Sequence, residues 1–145
     1  MPPASRKTIG RGILLAAALY NIAFGLWAGL RPGAFFDLFG LDPPRYPSIW
    51  GCLGMVVGLY GLVYAWCAAH LDAGRPLVAI GLAGKVLGPI GWLFAVRSGE
   101  LPARTFPLVL LDDLIWWIPF AWVLLKARGG AADGRRWPGP PARAP

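Results

Sequence analysis

Lys85, Asp112 and Asp113 stand inside long apolar stretches of the chain, and they are the residues best able to do chemistry. An ionisable side chain near the middle of a bilayer costs at least about 2.5–3.5 kcal/mol on insertion scales, so it should turn inward and find a partner. Asn21, Tyr60 and Trp116 fall near the depth of Lys85 when positions are counted along helices at about 1.5 Å per residue. Asp113 lies one helical turn from Trp116 and Trp117. One polar layer therefore receives a residue from each span: Asn21, Tyr60, Lys85, Asp112, Asp113, Trp116 and Trp117. Lysine and aspartate would orient a polar head group, and the two tryptophans would form walls. Alternatively the same residues lock helix register and nothing more. Lys85 and Asp112 come out about 7–9 Å apart in depth, and the backward tilt of helical side chains works against their direct pairing. A lysine side chain covers much of that distance, and the link is either a direct pair or one completed by water or an intermediate polar group.

The elements that must position these residues are four apolar blocks, Ile13–Leu30, Ile49–Ala69, Leu77–Val96 and Phe106–Leu125. Each is long enough to cross about 30 Å of hydrocarbon as a helix. The chain has 145 residues, 57% hydrophobic and 14% charged, with a mean hydropathy of +0.54. None of the blocks shows the polar face of a buried soluble helix. The fold class expected is an all-α integral membrane four-helix bundle spanning 13–125, with a basic cytoplasmic N-terminus over 1–12 and a disordered basic cytoplasmic tail over 126–145.

The net charge of +7 is spread between and beyond the apolar blocks, which argues against nucleic acid and for orientation signals. Arg6, Lys7, Arg11, Arg75, Lys126, Arg128, Arg135, Arg136 and Arg143 fall on one side, and Arg31, Arg45, Arg97 and Arg104 on the other. Both termini are expected inside. A cleaved signal peptide would explain the basic start and Ala16-Ala17-Ala18, but the apolar run continues to Leu30. Trp27, Trp50 and Trp92 mark the outer boundary, and Trp66 and Trp122 the inner. The apolar stretch from Gly33 to Leu41 is too short to span and is expected at the outer interface.

Gly51, Gly54, Gly58 and Gly61 share one helical face of span two, and Gly81, Gly84, Gly88 and Gly91 share one of span three. Small faces permit close backbone approach in lipid, so these two spans are expected to pack against each other. A groove that lays a ligand against bare backbone is the other use of such a face. Pro89 and Pro119 each remove a helical hydrogen bond beside the polar layer. Loose echoes between Gly25-Leu26-Trp27 and Gly91-Trp92, and between Tyr46-Pro47 and Phe106-Pro107, fit two tandem hairpins.

Chemistry beyond this layer is sparse. Cys52 and Cys67 sit about 22 Å apart along one helix and cannot pair. His70 has no cluster to complete a metal site. No phosphate loop, nucleophile elbow or dinucleotide fingerprint occurs. No cofactor or metal is expected, and an enzyme is the weakest functional class. Candidate partners are the lipid bilayer, a lipophilic small molecule, and a second copy or another membrane subunit.

The end of the first span at Gly25-x-Trp27, followed by Pro32, Phe35-Phe36 and Phe39-Gly40, resembles the small bacterial DoxX-like membrane proteins. The pattern covers about the first third of the chain, and the rest agrees in span count. The resemblance implies a four-helix fold in a bacterial cytoplasmic membrane. Some relatives take part in thiol or quinone oxidation, which the lack of a cysteine pair here argues against. No residue takes a role from it.

Overall fold

A computed structural model describes residues 3–127, and the tail beyond Ala127 lies outside them. Among the described residues the chain is all-helical. The long helices are α1 (Pro3–Leu30), α3 (Pro47–Ala69) and α4 (Arg75–Arg97), with short α2 (Ala34–Phe39) between the first two. The last apolar segment is composite. A 3-10 turn (Ala103–Thr105) leads into α5 (Phe106–Val109), a π-helical turn (Leu110–Leu114) and α6 (Ile115–Lys126). Four stretches are long and apolar enough to cross a membrane: Ala4–Leu30, Pro47–Ala69, Arg75–Arg97 and Ala103–Lys126. α1 takes in most of the basic 1–12 stretch, so Arg6, Lys7 and Arg11 ride on its first turns.

The long helices form a ring in which α1 neighbours α3 and α6, and α4 neighbours α6 and α3. By far the closest union is α1 with α3, whereas α3 and α4 touch sparingly. This corrects the expectation that spans two and three pack through their glycines. A Cβ on Gly25 would lie 2.6 Å from Gly58 Cα and from the Gly54 carbonyl oxygen. One on Gly54 would lie 2.6 Å from the Gly29 nitrogen and 2.9 Å from Ala28 Cβ. Small residues on both partners let these backbones meet, and van der Waals contact is what holds helices together in lipid. The glycines of α4 serve otherwise. Gly81 admits the Tyr64 hydroxyl and Gly88 admits the Asp113 carboxylate, while Gly84 and Gly91 border open space.

The packed core lies toward the end of the ring that carries the termini, where Leu14, Ala17, Tyr64, Cys67, Val78, Phe120 and Val123 are buried. Outward surfaces are apolar instead of polar: Ile118 is 82% exposed and Leu19 72%. Inside, Asn21, Lys85 and Thr105 are buried. At the opposite end, Phe35 of α2 stacks on Trp50 at 4.8 Å between ring centroids. Gly40 closes α2 in the left-handed region at φ +57°, with the Leu41 N–H bonded to the Phe36 carbonyl at 2.8 Å. Arg104 then donates to the carbonyls of Phe39 and Gly40 at 2.8 and 2.9 Å, tying α2 to the start of the last segment.

These contacts separate the two glycine stripes experimentally. Gly25→Ala and Gly54→Ala should each lower stability by about 1–3 kcal/mol through overpacking. Gly84→Ala and Gly91→Ala should be neutral or stabilising, since alanine is the better helix former. Thermal unfolding of the purified variants in detergent measures the difference, and equal losses in all four would contradict the packing described.

Candidate functional site

The site begins with a local departure from α-helical geometry. In a regular helix consecutive residues diverge by about 100°, so Asp112 and Asp113 would face different neighbours. Between Leu110 and Leu114 the backbone widens into a π turn, in which the Ile115 N–H reaches back to the Leu110 carbonyl. A turn that holds an extra residue narrows the angle between neighbouring side chains, and such turns recur at functional positions. Both carboxylates consequently reach one ammonium. Lys85 Nζ lies 3.3 Å from Asp112 Oδ2 and 3.7 Å from Asp113 Oδ1. It also donates a hydrogen bond to the backbone carbonyl of Asp112. The link is therefore direct, and no intermediate group is needed. Lys85 is only 8% exposed.

Two further features hold the lysine in place. Gly88, one turn along α4, leaves the space that the Asp113 carboxylate occupies. Pro89 has no N–H for the carbonyl four residues earlier, which belongs to Lys85. Trp117 supplies the missing donor, its indole Nε1 bonding the Lys85 carbonyl at 2.9 Å. The helix is thus broken and repaired at the residue that carries the charge. Trp116 turns elsewhere. Its indole donates to the Leu111 carbonyl at 3.2 Å, and its ring packs against Tyr20 and Phe120.

The charged cluster separates two cavities in the loosely closed seam between α3 and α4, with Val57 and Asp112 lining both. The smaller, about 170 Å³, lies toward the termini and is lined by Asn21, Tyr60, Tyr64, Gly84, Lys85 and Asp112 among others. The larger, about 300 Å³, lies toward the opposite end and takes in Phe24, Trp50, Gly91, Trp92, Asp112 and Asp113. Of the polar layer read from the sequence, Asn21, Tyr60, Lys85 and Asp112 converge on one cavity. Asp113 borders the other, and Trp116 and Trp117 line neither. Trp117 is a backbone cap where a wall was expected. Asp112 Oδ1 and Trp50 Nε1 are buried without a hydrogen-bond partner, which costs about 1–3 kcal/mol per group and marks a place to look for a ligand.

Tyr64, Gly88, Phe24 and Trp50 did not enter the polar layer on sequence grounds. Tyr64 is one helical turn from Tyr60, with ring centroids 6.1 Å apart, and that spacing was the available signal. Trp50 and Trp92 carry the spacing of boundary markers in the sequence, and both line the larger cavity. Elsewhere, Cys52 and Cys67 are free thiols, and Cys67 donates weakly to the Gly74 carbonyl at 3.5 Å. His70 stacks on Trp66, with ring centroids 4.7 Å apart. No group of three or more potential metal ligands occurs among the described residues. Comparison of the chain with family models, curated proteins and solved structures yields no match.

Lys85→Met should destabilise the protein by about 3–5 kcal/mol by leaving buried carboxylates without their cation. Adding Asp112→Asn or Asp113→Asn alone should recover part of the loss, and both together most of it. Full recovery with a single asparagine would mean that one aspartate is the sole partner.

Trp117→Phe should cost about 1–3 kcal/mol by orphaning the Lys85 carbonyl. In a Pro89→Ala background, where residue 89 regains its N–H, the same change should cost far less. A double-mutant cycle of unfolding energies reads the coupling directly, and strictly additive effects would contradict the capping role.

Proposed function

We propose that the chain is a multi-pass integral membrane protein that binds, and as a transporter would move, a small and largely apolar molecule in the α3–α4 seam. The observation that carries this reading is the charged cluster standing as a wall between two cavities, with a buried carboxylate oxygen left unpaired. Apolar residues outside and polar residues inside suit lipid as the surrounding solvent. Gly84 and Gly91 keep each cavity open by offering bare backbone, and both are solvent-accessible in the free chain. A molecule in the plane of a bilayer would enter sideways between the two sparsely touching helices.

The loop-charge asymmetry supports a topology with both termini in the cytoplasm, and the DoxX-like pattern of Gly25-x-Trp27 to Phe39-Gly40 is the ground for a bacterial inner membrane. A second reading draws on the Trp117 bond to the Lys85 carbonyl, which stiffens the cluster. In that reading the protein is a non-catalytic accessory subunit, and its buried Lys and Asp residues only fix helix packing.

An experimental structure in lipid nanodiscs separates the two. Elongated non-protein density in the seam beside Asp112, lost when Gly91→Leu fills the larger cavity, is the result expected for binding. A seam closed and dry around the cluster would overturn it in favour of the accessory role.

A further inference from the structure

The two cavities differ in the charge they present. Lys85 lines the smaller one, together with Asp112, but does not line the larger. Both aspartates border the larger cavity, and no basic residue does. One ammonium shared between two carboxylates also leaves the cluster one negative charge in surplus when all three groups are ionised. Asp113, which carries the longer of the two contacts to Lys85, borders the larger cavity and not the smaller.

The remaining lining is apolar, with three aromatic side chains among aliphatic ones and glycines. Phe24 comes from α1, Trp50 from α3 and Trp92 from α4. Trp92 is held by its indole bond to Thr105 Oγ1 at 2.9 Å, and Trp50 by stacking on Phe35. Ring faces attract cations through their quadrupole, and the attraction grows where water is excluded. Aromatic walls over an acidic floor favour an organic cation above a neutral molecule of the same shape, and they disfavour an anion.

Resting on the reading of the seam as a ligand site, we propose that the larger cavity binds a lipophilic organic monocation, its charged nitrogen against Asp112 and Asp113 and its apolar body between Phe24, Trp50 and Trp92. Asp112 Oδ1 accepts no hydrogen bond, and a quaternary nitrogen, which has no N–H to donate, would balance the carboxylate by charge alone. Gly91 provides the bare backbone along which the apolar body lies.

The test titrates the full chain in nanodiscs with benzyltrimethylammonium and with neopentylbenzene, its neutral isostere, by calorimetry. Gly91→Leu, whose new side chain enters open space, serves as the filled-cavity blank for lipid partitioning. The cation should bind the wild-type protein about tenfold or more tightly than the isostere. Asp113→Asn, which keeps the Lys85–Asp112 pair and removes the surplus charge, should erase that preference. Equal or tighter binding of neopentylbenzene would overturn the cation proposal and leave the ligand-binding seam standing. A cation preference undiminished in Asp113→Asn would also overturn it, because the surplus charge would not be its source. No heat above the blank from either compound would overturn both the cation proposal and the seam itself.

Discussion

A single ammonium group held by two consecutive carboxylates, inside a molecule whose outer surface is apolar, is the constraint from which the rest of the architecture follows. Ionised groups in hydrocarbon must be paired or solvated by the protein itself. Lys85 reaches Asp112 and Asp113 together because the backbone between Leu110 and Leu114 opens into a π turn. Gly88 makes room for the second carboxylate, and Trp117 repairs the hydrogen bond that Pro89 removes from the lysine's own carbonyl. Each of these departures from regular helix costs stability if considered alone. They converge on one side chain, and the pairing they permit is what compensates for them.

The two glycine stripes show how one sequence pattern serves two ends. On α3 the stripe meets Gly25, Ala28 and Gly29 of α1, and the backbones close on each other. On α4 it meets no complementary small face. Two of its glycines admit polar side chains from neighbouring helices, and the other two border the cavities. The half of the molecule toward the termini holds the packed core around Tyr64 and Phe120, with rings 5.1 Å apart at their centroids, and the smaller cavity beside it. The opposite half holds the larger cavity, whose Trp50 stacks on Phe35 of α2.

Much of this was legible in the residues themselves. Four apolar stretches of spanning length identify the helices, and counting depth along them brings Asn21, Tyr60 and Lys85 to one level, where they line one cavity together with Asp112, which the same count sets apart in depth. What escaped depended on partners that a linear pattern does not name. Helical periodicity places Gly58 and Gly84 on small faces but does not say which helix each face meets; Gly25 and Gly29, on a shorter stripe, proved to be the complement on α1. The direct Lys85 pairing was obscured because depth arithmetic compares backbone positions, whereas the contact is made by the far end of the lysine side chain and by two carboxylates that the π turn brings within its reach. The apolar ring of Trp117 suggests a wall, yet its indole N–H meets the need that Pro89 creates. That need was written in the spacing of Lys85 and Pro89, four residues apart, which is the offset of a helical hydrogen bond.

The joint pairing of Lys85 is most directly measured by solid-state NMR of the protein in bilayers, with ¹⁵N in the lysine side chains and ¹³C in the aspartate carboxyl groups. Lys85→Met identifies the Lys85 resonance by its disappearance. In the wild-type protein that ¹⁵Nζ signal should be dephased by carboxyl carbon. The dephasing should persist in reduced form in Asp112→Asn and in Asp113→Asn alike, since each variant retains one labelled neighbour. Its complete loss in either single variant, or its absence from the wild-type protein, would contradict the shared ion cluster on which this account of the molecule stands.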